Sequence, residues 1–82
     1  MRVLKKYEEK TNVTGELIRK IRLKKKLSAN AVCEKLQLHA VYIDRVQLYR
    51  METGKMIIKD FELVALCKVL EIDYDELKNT IM

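Results

Sequence analysis

The sequence predicts an all-α domain in which five short helices pack around one shared core. The chain has 82 residues, no proline and only two glycines, Gly15 and Gly54, so few positions interrupt a helix. Apolar residues recur at the spacing i, i+3, i+4 and i+7, which places them on one face of a helix, and no segment alternates apolar and polar residues as a half-buried strand does. We expect one compact domain, because a second core would not fit in this length.

The first two helices are predicted from their caps and their apolar stripes. We expect Thr14 to cap a helix that runs to about Lys26, and Ser28 to cap a second helix that ends near Leu38. The apolar faces then consist of Leu17, Ile18 and Ile21 in the first helix, and of Ala29, Val32, Cys33 and Leu36 in the second.

The third helix is predicted between a carboxylate and a glycine. Asp44 can cap a helix that extends to Thr53, and Gly54 ends it, because glycine tolerates the left-handed conformation common at helix ends. Its inward residues are then Leu48 and Met51.

The fourth and fifth helices complete the predicted bundle. The fourth begins at Asp60, and Asp73 and Glu76 form a capping-box pair for a short fifth helix. The expected inward residues of the fourth are Leu63, Leu66, Cys67 and Leu70, and the fifth carries Tyr74, Leu77 and Ile81.

Charge is distributed unevenly along the chain. The formal net charge is +5, and residues 1–26 hold ten Lys/Arg against three Asp/Glu, whereas residues 27–82 hold seven against nine. A basic first part favours an anionic partner. We therefore expect one face of the domain to turn toward a polyanion and another to stay away from it.

Several classes of function receive no support. Cys33 and Cys67 show no Cys-x-x-Cys spacing, and His39 is the single histidine, so we expect no metal site, no cofactor and no disulfide framework. A glycine-rich phosphate loop and a nucleophile with a plausible base are both missing, which argues against an enzyme. No apolar run approaches the roughly 20 residues of a membrane span, and the N-terminus lacks a signal-peptide pattern. We expect a cytoplasmic protein.

Three stretches, in this order and at these spacings, resemble the Cro and phage-repressor-like helix-turn-helix proteins, the XRE family. The family's second helix is similar to residues 27–38, LSANAVCEKLQL. Residues 46–55, VQLYRMETGK, resemble its third helix with a Glu-x-Gly-Lys ending. Residues 59–77, KDFELVALCKVLEIDYDEL, resemble its fourth and fifth helices. The resemblance covers about residues 15–77 and implies a five-helix, lambda-repressor-like domain that binds double-stranded DNA.

The connection between the second and third helices departs from the shortest family members. It carries about five extra residues, from His39 to Ile43. A subset of the family has a longer connection with LQL before it and Ile-x-Arg at its end, like Leu36-Gln37-Leu38 and Ile43-Asp44-Arg45 here. The helix-turn-helix domain is expected over residues 14–82, after an N-terminal extension of residues 1–13.

The resemblance implies that the third helix reads bases in the major groove. That groove, about 12 Å wide, admits one helix. With Leu48 and Met51 inward, a turn of about 100° per residue directs Val46 and Arg50 outward. Arginine can bond guanine, glutamine can bond adenine, and apolar groups can contact the thymine methyl. The alternative is that these side chains are solvated surface residues or contact phosphates. The residues at the family's base-contacting positions are Arg45, Val46, Gln47, Tyr49 and Arg50.

Contacts to DNA phosphates are expected from a helix N-terminus and from the loop after the third helix, where N–H groups and lysines present positive charge. Many relatives carry glutamine at the position of Ala29, so that side chain's usual contact is missing here. Lys24, Lys25 and Lys26 can also contact the DNA backbone. Alternatively, they form a solvated helix end that the helix dipole favours. The phosphate-contacting candidates are Ser28, Ala29, Asn30, Lys55 and Lys59.

The resemblance also implies a structural ion pair between Arg22 and Glu52. It would tie the first helix to the end of the third. Such a pair sets the position of the third helix and does not itself read DNA.

The expected function is that of a repressor that binds a palindromic operator as a two-fold homodimer. One alternative is an antitoxin that also autoregulates, with an unknown protein partner, and another is a helix-turn-helix module used only for protein or RNA contacts. An acidic third helix would favour a module used only for protein or RNA contacts, whereas Arg45 and Arg50 do not favour it. Two candidate dimer surfaces are Met56-Ile57-Ile58 and the C-terminal set Tyr74, Leu77, Ile81 and Met82. These residues fit the core equally well, and for Ile58 and Leu77 the core is favoured.

Overall fold

A computed structural model describes residues 10–81 and contains five α-helices in this part of the chain. They are α1 (Gly15–Lys24), α2 (Ala29–Gln37), α3 (Arg45–Glu52), α4 (Asp60–Leu70) and α5 (Tyr74–Lys78), followed by a 3-10 turn (Asn79–Ile81). Residues 10–81 contain no strand, and none of their helices has the length and apolarity to cross a membrane. The predicted all-α, five-helix fold is confirmed.

One core joins the first four helices. α3 packs against α1 and α2, and α4 packs against the same two helices. Each fully buried Leu or Ile side chain contributes roughly 1.5–3 kcal/mol relative to exposure. The side chains with no exposed surface are Ile18, Val32, Leu36, Leu48, Met51, Leu66 and Leu70. The inward orientation predicted for Leu48 and Met51 is therefore confirmed.

Three of the predicted helix caps are present. The Ser28 hydroxyl accepts a hydrogen bond from the Ala31 N–H at 3.0 Å. The Asp44 carboxylate accepts one from the Gln47 N–H at 2.8 Å, and the Asp73 carboxylate one from the Glu76 N–H at 2.9 Å. These side chains satisfy N–H groups that the first turn of a helix leaves without a partner.

The predicted cap of α1 is wrong. Thr14 precedes α1, but its side chain makes no cap hydrogen bond, because its backbone is already near the helical region at φ −102° and ψ −9°. A capping side chain needs the extended backbone that Ser28 and Asp44 have. Asn12 takes the role instead, since its carboxamide oxygen accepts the Gly15 N–H at 2.8 Å. At its other end α1 stops at Lys24, slightly before the predicted Lys26.

The longer connection between α2 and α3 is anchored in the core. Val41 and Ile43 are buried, and the Val41 N–H bonds to the Leu36 carbonyl oxygen at 3.1 Å. Ala40 turns the chain in the left-handed conformation, with φ 59°. The extra residues thus supply two core side chains that hold the start of α3.

The outer side of α4 is less buried than predicted. Leu63 and Cys67 pack against the core but are only half-buried, because the short helix α5 covers them incompletely. Ile58 and Leu77 are also half-buried against the core. Cys33 is buried, and both thiols are free. The Ile81 side chain and Met82, named above as dimer candidates, lie outside the described residues.

Candidate nucleic-acid interface

The exposed side of α3 carries four of the five residues expected to contact bases. Val46 and Tyr49 each have 54% of their surface exposed, although both are large and apolar. Arg45 and Arg50 are exposed and make no ion pair with any residue in the described part of the chain. The opposite side of the helix is fixed, because Leu48 and Met51 are fully buried. The arrangement offers two free guanidinium groups and two apolar surfaces on one rigid element.

Gln47, the fifth of these residues, is half-buried and participates in the cap of α3. Its carboxamide oxygen accepts a hydrogen bond from the Asp44 N–H at 2.9 Å, while its own N–H donates to the Asp44 carboxylate at 2.8 Å. This is a capping box with glutamine in the position three residues after the cap. The side-chain NH2 group of Gln47 makes no hydrogen bond within residues 10–81.

Arg22 and Glu52 form a bidentate ion pair. Arg22 Nε lies 2.7 Å from Glu52 Oε2, and Nη2 lies 3.0 Å from Oε1. The Glu52 side chain is 2% exposed and that of Arg22 13%, so the pair is shielded from water. The hydrogen bonds to Glu52 raise the pKa of Arg22 above its ordinary value. The pair joins α1 to the last turn of α3.

The same guanidinium also holds the chain before α2. Arg22 Nη1 donates to the Leu27 carbonyl oxygen at 3.0 Å, one residue before the cap Ser28. A single side chain therefore fixes the N-terminus of α2 and the C-terminus of α3 relative to each other. The sequence indicated the ion pair but gave no sign of this third contact.

Asn12 is a second polar tether, which the sequence analysis missed. Its Nδ2 donates to the carbonyl oxygens of Met51 at 3.0 Å and of Met56 at 2.8 Å, which belong to the end of α3 and the loop after it. A Cβ at Gly15 would collide with the Met51 carbonyl oxygen, so this close approach requires glycine. The Thr11 N–H bonds to the Gly54 carbonyl oxygen at 2.8 Å. Residues 10–13 thus contact the domain, while residues 1–9 of the expected extension lie outside the described residues.

The phosphate-contacting candidates lie at the N-terminus of α2 and in the loop after α3. Ser28 and Asn30 are exposed at the N-terminus of α2, with Ala29 half-buried between them. The Ser28 hydroxyl already accepts the cap bond, so it has an O–H left to donate. Lys55 is exposed directly after α3, and its N–H bonds to the Arg50 carbonyl oxygen at 2.8 Å.

Two further lysines have partners of their own. Lys59 is exposed at the start of α4, with its Nζ 5.9 Å from the centre of the Phe61 ring. Lys25 bonds to Glu71 at 2.8 Å and lowers the pKa of that carboxyl, which makes it the least available of the three lysines at the end of α1.

Charge separates by element across the described structure. Residues 10–59, from the start of the described chain to the end of the loop after α3, contain twelve Lys/Arg and four Asp/Glu. Residues 60–81, which form α4, α5 and the final turn, contain two and six. The sequence alone indicated a basic first part, and in the structure α3, which belongs to this basic range, packs against α1 and α2.

The fold and this surface define a class of protein, the helix-turn-helix domain. Here Arg22 ties the start of α2 to the end of the exposed helix α3. The chain matches the family model HTH_3, described as helix-turn-helix, over residues 18–77, and it belongs to this family of XRE-type, Cro- and repressor-like proteins. It is accordingly a DNA-binding regulator, in a family that is not one of enzymes. No curated protein and no solved structure matches it significantly.

Proposed function

We propose that the chain is a transcriptional repressor that inserts α3 into the major groove of a palindromic operator. The observation that carries the proposal is the exposed pair Arg45 and Arg50, on a helix whose other side is fully buried. A guanidinium can bond O6 and N7 of guanine together, which gives roughly 1–3 kcal/mol of discrimination per contact. An α-helix with its side chains is roughly 10–12 Å in diameter, which fits a major groove about 12 Å wide.

The flanking residues support this orientation. Val46 and Tyr49 present apolar surface that can contact a thymine methyl group, which is accessible only in the major groove. Ser28 and Asn30 at the N-terminus of α2, and Lys55 and Lys59 in the loop after α3, are exposed and can bind phosphates. A repressor acts by occupying its site, so affinity and base readout are the properties it requires.

Selection from random duplex DNA tests the proposal. The wild-type chain is expected to recover a palindromic motif, and Arg50→Ala is expected to relax the preference at one base pair in each half-site. Arg19→Ala is the matched control, because Arg19 is an exposed arginine on α1, and it should recover the wild-type motif. Recovery of no motif, with weak binding lost at moderate salt, would contradict the proposal and favour a module that binds protein or RNA.

A further inference from the structure

Tyr42 is a large side chain that the connection before α3 holds outside the core. Its neighbours Val41 and Ile43 are 5% and 6% exposed, whereas Tyr42 itself is 74% exposed. Its hydroxyl makes no hydrogen bond with any of the residues that the structure describes. A phenol O–H is a hydrogen-bond donor, so the chain presents an unused donor shortly before α3.

The backbone on both sides of Tyr42 is fixed. The preceding residue, Val41, is buried, and its N–H bonds to the Leu36 carbonyl oxygen at 3.1 Å. On the other side, Asp44 caps the first turn of α3. Three residues of chain span at most about 11 Å, so the Tyr42 Cα lies within this distance of the Cα of Arg45, the first residue of α3. A tyrosine ring on a fixed backbone loses little conformational entropy when it binds a partner.

The N-terminal end of α3 lacks a donor for phosphate among the candidates named so far, which lie at the N-terminus of α2 and in the loop after α3. A carboxylate, Asp44, caps α3 and repels a phosphate, whereas the neutral Ser28 hydroxyl caps α2. A donor at this end of α3 must therefore come from a side chain. The connection has two polar side chains, of which His39 borders a cavity beside Phe61 of α4. Tyr42 is the other.

We propose that the Tyr42 hydroxyl donates a hydrogen bond to a phosphate of the operator beside the N-terminal end of α3. The inference rests on the proposed function, because it adds a contact to the same surface. Tyrosine hydroxyls bond phosphate oxygens in protein–DNA complexes, and such contacts fix the register of the protein on the duplex without reading its sequence. With Tyr42 before α3 and Lys55 after it, the helix has a phosphate-binding side chain at each end. The longer connection then serves DNA binding as well as the core.

Titration of the selected duplex at several salt concentrations tests the contact. Tyr42→Phe keeps the ring and removes the hydroxyl, so the dissociation constant should rise about 10-fold, as expected for a lost hydrogen bond to a charged group. A neutral donor displaces no counterion, so the slope of log affinity against log salt should stay that of the wild type. Tyr74→Phe is the matched control, because Tyr74 is 73% exposed and lies on α5, and it should bind DNA like the wild type.

Ethylation interference on the same duplex locates the contact. Ethylation removes the charge of a phosphate, so the phosphate bonded by Tyr42 should weaken binding of the wild type when it is ethylated. At one phosphate in each half-site this interference should be lost in Tyr42→Phe and kept in Tyr74→Phe. Both substitutions lie at exposed positions, so the free energy of unfolding should be unchanged in urea denaturation.

Three results would overturn the contact: equal dissociation constants for Tyr42→Phe and the wild type, an equal loss for Tyr74→Phe, or the same interference pattern for the wild type and Tyr42→Phe. A changed base preference in Tyr42→Phe would also overturn it, because the hydroxyl would then read a base. Each of these results leaves the proposed function in place, since the wild type still selects a motif. A wild type that selects no motif would contradict the proposed function, and the operator contact of Tyr42 with it.

Discussion

At the scale of single residues, Gln47 combines a structural role with a restricted choice of bases. A bidentate contact to adenine needs the carboxamide oxygen to accept and the NH2 group to donate. In this structure the oxygen already accepts the Asp44 N–H, so the NH2 group is the part directed to other partners. We therefore expect Gln47 to donate to an acceptor on a base edge, and not to make the bidentate contact to adenine that the sequence suggested.

Gln47→Glu separates these two roles. Glutamate keeps the acceptor for the Asp44 N–H, so the free energy of unfolding should change by less than about 0.5 kcal/mol. The donor is lost, so the selected DNA motif should change at one base pair. Urea denaturation and duplex selection measure the two effects. An unchanged motif with uniformly lower affinity would mean that Gln47 is only a cap.

Arg22 and Glu52 also act at the scale of residues. Arg22→Met would leave the Glu52 carboxylate buried without its partner, and we expect a loss of about 3 kcal/mol in the free energy of unfolding. Arg22→Met combined with Glu52→Met should recover most of this loss, because no charge then remains unpaired. Arg19→Met, at an exposed position of the same helix, should cost less than about 0.5 kcal/mol. Urea denaturation of the wild type and these three variants measures the free energies of unfolding. A loss below about 1 kcal/mol for Arg22→Met would contradict the structural role of the ion pair.

At the scale of elements, the sequence predicted local features well and long-range ones poorly. Ser28, Asp44 and Asp73 were identified as caps because the groups they bond lie three residues away in sequence. Asn12 was missed because its partners Met51 and Met56 are 39 and 44 residues distant, and no local pattern encodes such contacts. The ion pair of Arg22 was anticipated from family resemblance and not from spacing.

Asn12→Ala tests the tether between α1 and α3. Its carboxamide makes three hydrogen bonds, and their loss leaves two partly buried carbonyl groups and the first N–H of α1 without this partner. We expect the free energy of unfolding to fall by about 2–3 kcal/mol. Asn30→Ala, at an exposed position, should change it by less than about 0.5 kcal/mol. Equal effects of the two substitutions in urea denaturation would show that Asn12 is not a tether.

The connection between α2 and α3 offers a stabilising substitution. Ala40 has φ 59°, a conformation that costs a residue with a Cβ roughly 1–2 kcal/mol. Ala40→Gly removes this strain and adds the backbone entropy of glycine to the unfolded state, so we expect a net gain of about 0.5 kcal/mol. Ala31→Gly, inside α2, should instead lose about 1 kcal/mol. Urea denaturation measures both variants. If Ala40→Gly lowers the free energy of unfolding as Ala31→Gly does, the left-handed turn at Ala40 is contradicted.

At the scale of the whole molecule, charge differs between two ranges of the chain. Residues 10–59, which include α1, α2 and α3, carry a positive formal charge, and residues 60–81, which include α4 and α5, carry a negative one. The sequence predicted the basic range from composition and the exposed residues of α3 from periodicity. It could not predict which apolar residues stay exposed, such as Phe61 and Val64, because exposure depends on how far α5 covers α4.

The most direct test of the central claim is a titration of the selected duplex, and of its single base-pair variants, at several salt concentrations. Arg50→Ala should lose about 1–3 kcal/mol of discrimination at one base pair. Lys55→Ala should weaken binding to all these duplexes alike and reduce the slope of log affinity against log salt by about 1. If both variants weaken binding uniformly, α3 contacts only phosphates, and base readout through this helix is contradicted.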